Sequence, residues 1–174
     1  MKTIITDCGV VDILVVGRAL PQDELDQIKA FTGTEFNYEE TAVQLMNSAS
    51  VKWCIREAET KEPLAVGGLL QIAPTIWRTW FFATQRAWDQ YGRELTVHVA
   101  RTRKNILETQ EHARIETVAL ASRADACRWY EAVGMTREST MRGYGVNGES
   151  AVMYVSTKGA SHVQMPAGGM KRSV

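Results

Sequence analysis

The sequence predicts a single mixed α/β domain, and three observations support that fold class. A chain of 174 residues is long enough for one domain with a sizeable core and leaves little room for a second. Three strand-like segments follow one another between residues 51 and 84, with the short connections typical of an antiparallel meander. The second half alternates helix-like and strand-like segments and ends in a hairpin. Its helical crossover, between residues 93 and 120, predicts one pair of parallel strands.

The first fifty residues contain one predicted strand and two predicted helices. Residues 13–16 form a short apolar run, which favours a strand. Pro21 suits the first turn of a helix, where its missing N–H costs nothing, and Gly33 ends that helix. A second helix is predicted after Asn37, a good N-cap residue, with Glu40 three positions on as in a capping box.

The meander consists of residues 51–57, 64–72 and 76–84. The first segment alternates apolar and polar side chains, and the second carries Gly67 and Gly68 at its centre, which indicates a bulge or a close backbone approach. The third segment is aromatic, with the side chains Trp77, Trp80, Phe81 and Phe82. Because basic residues are scarce around them, core packing or a protein interface is favoured over the stacking of bases.

The second half supplies the remaining elements. Residues 85–92 are polar and predict a loop, and residues 93–111 predict the longest helix. Residues 114–120 predict a buried strand, and an alanine-rich helix follows over residues 124–133, with Gly134 as its C-cap.

Two further strands, over residues 135–141 and 151–156, close the domain around a glycine-rich turn. The stretch 158–174 has no periodicity and predicts a flexible C-terminal tail. We therefore expect one domain over residues 1–157, and truncation after Thr157 should leave the melting temperature nearly unchanged.

Composition and charge exclude several functional classes. Twenty basic residues balance twenty acidic ones, whereas a nucleic-acid-binding domain usually has a basic excess. Residues 91–174 carry 12 basic and 8 acidic side chains, a balance that suits a small anionic ligand. His98 and His112 are too isolated to indicate a metal site, so no metal is predicted.

Cysteine usage and hydropathy indicate a cytoplasmic protein. Cys8, Cys54 and Cys127 form no closely spaced pair, which is typical of a reducing compartment without structural zinc. No signal peptide is visible, and no apolar run approaches the roughly 20 residues of a membrane helix.

One segment of the second half resembles a known family. Residues 123–135 match the helix pattern Asn-x-x-Ala-x-x-x-Tyr-x-x-x-Gly-Phe of the GNAT (Gcn5-related N-acetyltransferase) family at Ala126, Tyr130 and Gly134, with Met135 in place of the Phe and Arg123 in place of the Asn. The resemblance implies a mostly antiparallel sheet with one splayed parallel strand pair and helices on both faces. It also implies an acetyl-CoA cofactor and an amine acceptor, with a cleft between the strands at residues 77–84 and 114–120.

The phosphate-binding part of the family pattern is different here. Acetyl-CoA binders of the family carry Gln/Arg-x-x-Gly-x-Gly/Ala before the long helix, whereas residues 85–93 contain only Gly92, followed by Arg93. Gly92 and Arg93 are therefore the candidates for a residual phosphate loop, and the alternative is an ordinary helix start. The resemblance adds Arg123 and Ala126 to the cofactor-binding set.

A narrower resemblance extends over residues 50–157. The spacing of Gly67-Gly68, the aromatic strand, Trp88 and Gly92-Arg93 is similar to the GNAT-related internal virion protein A family of short-tailed bacteriophages. That resemblance implies a role in virion assembly and no established reaction.

Two residues are candidate catalysts. The resemblance implies that Tyr130 protonates the leaving thiolate, a step that suits a phenol with a pKa near 10. It places Glu116 on the acceptor side, where it could act as general base. The alternatives are packing of the Tyr130 ring against the sheet and a solvated end of the strand for Glu116. Cys127 shares a helix face with Tyr130, and small-residue packing explains it better than nucleophilic catalysis.

Two functions from different classes follow. The first is an acyltransferase that moves an acetyl or other acyl group from acyl-CoA to an amine. The second is an inactive phage protein with this fold that acts in virion assembly or binds a host protein, in the host cytoplasm or in the virion. The missing second glycine near Gly92 favours the second function, and Tyr130 favours the first.

Overall fold

The computed structural model describes residues 2–48, 51–110 and 112–158. The helices and strands, in chain order, are β1 (Thr3–Thr6), α1 (Val10–Arg18), α2 (Gln22–Thr32), α3 (Tyr38–Asn47), β2 (Lys52–Glu57), β3 (Pro63–Ala73), β4 (Ile76–Ala83), α4 (Gln85–Thr109), β5 (Arg114–Leu120), α5 (Ala124–Ala132), β6 (Thr136–Met141) and β7 (Ala151–Thr157). The strands form one seven-stranded sheet in the order β1-β2-β3-β4-β5-β7-β6. The predicted tail lies outside the described residues from position 159 onward.

The predicted strand over residues 13–16 is wrong, because these residues belong to α1. Branched apolar residues favour strands, but packing can outweigh that local preference. Ile13 and Val16, one helical turn apart, are both fully buried on the same face. Asp12 stabilises the start of the helix, since its Oδ2 accepts the Gly9 N–H at 2.9 Å. The first strand is instead β1, which pairs antiparallel with β2.

The end of α2 and the start of α3 confirm the predicted capping signals. Gly33 has φ +76°, the left-handed conformation that glycine adopts at no steric cost. The Asn37 side chain accepts the N–H groups of Glu39 and Glu40, both at 3.1 Å. The two helices therefore begin and end close to the residues that the sequence indicates.

The meander and the parallel strand pair are both confirmed. Strands β2, β3 and β4 pair antiparallel in sequence order, and β4 pairs parallel with β5. The parallel ladder holds only three residue pairs, the last of which joins Arg78 to Glu116. Beyond that pair, β4 continues along β3 and β5 continues along β7. The two strands therefore splay apart over residues 79–83 and 117–120.

Helices cover both faces of the sheet, as predicted. On one face α4 and α5 pack over a large core that includes Leu95, Ile115 and Tyr154. On the other face α1 and α3 pack over a smaller core that includes Ile13, Val16 and Leu45. Neighbouring residues of β4 serve opposite faces, since Phe81 packs against the first core and Trp80 and Phe82 against the second. The aromatic strand is thus a packing element, as its composition predicts.

The start of the long helix differs from the prediction. Helix α4 begins at Gln85, eight residues before the predicted start at Arg93. Thr84 is the N-cap, and its hydroxyl accepts the Ala87 N–H at 3.1 Å. Ala87, Tyr91 and Leu95 then supply a buried stripe at helical spacing. Because polar residues separate the members of that stripe, the segment has the appearance of a loop in the sequence.

A buried histidine links α4 to β1. The Thr3 hydroxyl donates to Glu94 Oε2 at 2.6 Å and accepts from His98 Nε2 at 3.0 Å. Burial lowers the pKa of His98 below its ordinary value of 6.5. The folded protein therefore holds this imidazole neutral at a pH where the unfolded chain already binds a proton.

This difference in pKa predicts a loss of stability in mild acid. The free energy of unfolding should fall as the pH drops through about 6.5 toward the lower pKa of the folded state. His98→Gln keeps a side chain that can donate to Thr3 but does not titrate, so it should reduce that fall. Urea unfolding midpoints of both proteins at pH 7.5 and 5.5 would measure the difference. If the midpoint falls equally in both proteins between these pH values, His98 is not the cause of the acid destabilisation.

Among the described residues, no helix combines the length and the hydrophobicity needed to cross a membrane.

Candidate active site

A cleft of about 440 Å³ opens beside the end of β4 that diverges from β5. The N-terminal ends of α2, α4 and α5 all meet it. Its lining residues are Pro21, Asp23, Glu24, Phe81, Ala83, Gln85, Trp88, Arg123, Asp125, Ala126, Trp129 and Tyr130. The predicted separation of the two strands is confirmed by their short ladder, which ends at Arg78 and Glu116, although β4 alone of the two strands lines this cleft. Three of the six predicted site residues line it: Arg123, Ala126 and Tyr130.

Tyr130 lies at the base of the cleft on α5. Its ring is 5.3 Å from that of Trp129 and 5.4 Å from that of Tyr154, centroid to centroid. Burial raises the pKa of Tyr130 to about 12; the charge of Glu24 adds to the rise, and a side-chain hydrogen bond with Thr117 opposes it. The phenol is therefore protonated throughout the physiological pH range and can act as a proton donor.

An aromatic wall completes the base of the cleft. Phe81 stacks on Trp129 with centroids 5.1 Å apart, and Trp88 meets Trp129 edge-on at the same distance. Trp129 Nε1 donates to Thr96 Oγ1 at 3.0 Å, which fixes the indole against α4. Interlocked rings of this kind form a rigid apolar surface.

Arg123 closes the cleft on the α2 side. It donates to Glu24 Oε2 at 2.8 Å and to Asp23 Oδ2 at 2.5 Å, so both guanidinium NH₂ groups are engaged. The Arg123 Nε atom is buried and has no hydrogen-bond partner within the described part of the chain. A buried N–H donor without an acceptor lowers the stability of the folded protein, and an acceptor supplied by a ligand would remove that penalty.

The mouth of the cleft is formed by the first turn of α4. Gln85 lines it, whereas the Arg86 side chain turns away to pair with Glu57 at 3.0 Å and with Glu62. Gly92 and Arg93 lie well inside α4 and are not among the lining residues. The loop on which their predicted phosphate role depended does not exist, because that segment is helical.

Glu116 lies at the vertex of the splay. It is buried, and it accepts from Arg78 Nη2 at 2.6 Å and from Arg114 Nε at 3.3 Å. Arg114 also reaches Glu138 on β6 at 2.5 Å. This chain of charges ties β4, β5 and β6 together at the point where the strands begin to diverge.

A second cavity, of about 310 Å³, is lined by residues of both splayed strands. Its walls are Phe31, Arg78, Thr79, Thr117, Val118 and Tyr144. Phe31 and Tyr144 meet edge-on at 5.6 Å, so α2 and the turn between β6 and β7 close it together. Thr117, which lines this cavity, forms a side-chain hydrogen bond with Tyr130, which lines the first.

Sequence reasoning missed the acidic residues of the cleft. Asp23 and Glu24 lie 100 and 99 positions from Arg123 in the chain, and no local pattern links them. Trp88 and Trp129 are visible as aromatics, but only the fold shows that they share a wall. Among the described residues, no group of histidine, cysteine and carboxylate side chains could hold a metal ion.

No family model and no curated protein matches the sequence. Solved structures do match the fold. A GNAT-family acetyltransferase from Bacillus anthracis is 13% identical with a TM-score of 0.68, and the match covers 90% of this chain and 95% of that one. A ribosomal-protein-S5-alanine acetyltransferase from Vibrio fischeri is 11% identical with a TM-score of 0.67, covering 92% and 95%. The seven-stranded sheet, its single parallel pair and its helices on both faces are therefore those of the GNAT fold.

Proposed function

We propose that this protein is an acyltransferase that moves an acetyl or other acyl group from a thioester donor, acetyl-CoA, to an amine. The observation that carries the proposal is the cleft beside the diverging end of β4, with the protonated Tyr130 phenol in its lining. Similarity to acetyltransferase structures supports it at the level of the fold. Fold alone does not determine function, so the residues of the cleft have to support the chemistry.

The residues around the cleft fit the arm of a thioester. Where β4 and β5 diverge, their facing backbone edges are no longer paired with each other, so amide groups of a ligand can bond to them. Gln27 of α2 already occupies one such group, because its Oε1 accepts the Leu120 N–H at 3.0 Å. Arg123 Nε offers a further buried donor for a carbonyl oxygen. Phe81 and Trp129 supply the apolar side of the channel.

Acyl transfer needs one proton for the leaving thiolate and has to remove one proton from the attacking amine. When the amine attacks the thioester carbonyl, the carbon–sulfur bond breaks and the thiolate needs a proton. Tyr130 can supply it, and general acid catalysis of this kind contributes about 10²–10⁴-fold. The attacking nitrogen loses its proton to a base or to water. We place the amine in the second cavity, because Arg78 of the strand vertex lines it together with Thr117, which bonds to Tyr130.

A thiol-release assay tests this proposal directly. The purified protein is mixed with acetyl-CoA and a panel of amines, including small aliphatic amines, amino acids and peptides with a free N-terminus. We expect release of free thiol that depends on both the protein and one class of amine. Absence of thiol release with every amine, together with no heat of CoA binding by calorimetry, would refute the acyltransferase.

The general-base role of Glu116 stays a prediction, and one variant decides it. Glu116→Gln removes the charge but keeps an acceptor, so Arg78 and Arg114 lose an ionised partner. Because the carboxylate is buried in these ion pairs, we expect a loss of about 1–3 kcal/mol in unfolding free energy. We expect a fall of less than about tenfold in kcat, with water as the base. A larger fall in kcat with a changed pH profile would assign the base to Glu116.

A second function is favoured by the mouth of the cleft. The family phosphate loop is absent, and helix α4 begins directly at Gln85. A protein that kept this fold for virion assembly or for binding a host protein would not need that loop. The resemblance to the phage virion proteins depends on the sequence pattern alone. If neither turnover nor CoA binding is detected, this is the function to test next, with host proteins as candidate partners.

A further inference from the structure

We infer that the cleft recognises the pantetheine arm of its acyl donor and makes little use of the nucleotide that acyl-CoA carries. This inference rests on the proposed acyl transfer for the identity of the donor. It concerns binding, so it can be tested separately from turnover. Three observations support it: the charged side chains of the cleft lining are mainly acidic, the arginines at or beside it already form ion pairs, and most of the rest of its surface is apolar.

The charged lining of the cleft is acidic. Asp23, Glu24 and Asp125 contribute three carboxylates, against the single guanidinium of Arg123. The nucleotide of CoA carries a diphosphate and a further phosphate, which together amount to roughly four negative charges. Phosphates near this lining would meet net repulsion. The basic excess of the second half of the sequence therefore does not extend to the surface that would have to hold them.

Arg123, which lines the cleft, and Arg86, in the first turn of α4, already have carboxylate partners. Both NH₂ groups of Arg123 are held by Asp23 and Glu24, so its charge is compensated where it stands. Arg86, in the first turn of α4, is paired with Glu57 and Glu62 on the β2–β3 hairpin. Recruiting either group to a phosphate would break an existing ion pair.

Two of the three helix N-termini at the cleft already carry carboxylates. The first turn of α2 contains Asp23 and Glu24, and the first turn of α5 contains Asp125. Carboxylates in these positions occupy the place that an anion would take at the positive end of a helix dipole. The first turn of α4 has no acidic residue, but the Thr84 hydroxyl already caps its Ala87 N–H.

The rest of the cleft suits a neutral chain that contains amides. Phe81, Trp88 and Trp129 form an apolar wall, and the diverging strands expose backbone groups. Arg123 Nε is a buried donor that lacks an acceptor within the described residues. The pantetheine arm has this character, with two amides between short aliphatic segments. The chemistry of the cleft thus matches the arm and opposes the phosphates.

Calorimetry with three probes tests this inference on the full chain. Pantetheine, 4′-phosphopantetheine and CoA are titrated at about 50 mM and about 300 mM salt. We expect the three dissociation constants to agree within about fivefold, and CoA binding to be unchanged or slightly tighter at the higher salt, because screening weakens the repulsion. Dissociation constants for CoA at least 100-fold below those for pantetheine, with binding weakened by salt, would overturn the inference, as would no binding of any probe.

Two variants identify the residues responsible. Asp125→Asn removes one mouth carboxylate and should tighten CoA about threefold while leaving pantetheine unchanged. Asp26→Asn, on α2 outside the cleft lining, is the matched control and should change neither. Arg123→Lys keeps a charge for Asp23 and Glu24 but removes the Nε donor, so it should weaken pantetheine and CoA equally, by about fivefold. A loss confined to CoA in Arg123→Lys would show that the guanidinium binds phosphate and would refute the inference.

Failure of this inference can be distinguished from failure of the proposed function. Pantetheine binding without acyl transfer to any amine would overturn the enzyme and leave the recognition of the arm standing. Turnover with acetyl-CoA but none with S-acetylpantetheine would support the enzyme and overturn the inference that the pantetheine arm is sufficient for recognition.

Discussion

Tyr130→Phe should lower kcat for acyl transfer by about 10²–10⁴-fold while the protein remains folded. The variant keeps the ring that packs against Trp129 and Tyr154 and removes only the hydroxyl. Burial holds the pKa of this phenol at about 12, so the unmodified protein always has the proton to give. For the same reason, kcat should show no alkaline limb from Tyr130 below about pH 10. Steady-state thiol release across this pH range is the measurement.

Tyr154→Phe is the matched control for this variant. Tyr154 lies beside Tyr130, is fully buried, and donates to Glu131 Oε1 at 3.3 Å, but it does not line the cleft. Losing its hydroxyl should cost about 1 kcal/mol of stability and leave kcat nearly unchanged. Equal activity losses in the two variants would indicate a packing effect. An unchanged kcat in Tyr130→Phe would exclude the phenol as the general acid.

Local sequence patterns predict those parts of the fold that local physics determines. The meander follows from strand-length apolar segments with short connections, and the parallel pair follows from the helical crossover. The caps at Gly33 and Asn37 follow from single-residue chemistry. Residues 13–16 form a helix against the local preference, because packing on the sheet buries Ile13 and Val16 completely. No local signal carries that information.

The site is less predictable because its parts come from distant segments. Tyr130 and Arg123 belong to one helical pattern and can be found together in the sequence. The carboxylates that neutralise Arg123 come from the start of α2 and become its partners only when the chain folds. The phosphate role predicted for Gly92 depends on a glycine in a loop, and the helical backbone around Gly92 removes the reason for that role. A variant of this residue can test the role directly.

Gly68→Ala should destabilise the protein by about 3 kcal/mol, and Gly92→Ala should stabilise it by about 0.5–1 kcal/mol. A Cβ atom at Gly68 would lie 2.6 Å from the Val51 carbonyl oxygen and 2.7 Å from the Trp80 ring. That carbonyl cannot withdraw without cost, because it accepts the Leu69 N–H at 2.9 Å. A Cβ at Gly92 would have no atom within 4 Å, and in a helix alanine is preferred over glycine.

The opposite signs of these two effects make the pair a sharp test, because both changes add the same methyl group. Denaturant unfolding of both variants measures the stabilities, and calorimetry with CoA on Gly92→Ala measures the predicted phosphate role. If Gly92 allows a close approach of phosphate, its methyl group should weaken CoA binding by tenfold or more. We expect unchanged affinity, because Gly92 lies inside α4 and is not among the residues that line the cleft. A stable Gly68→Ala protein would show that β2 and β4 do not approach β3 as closely as this packing requires.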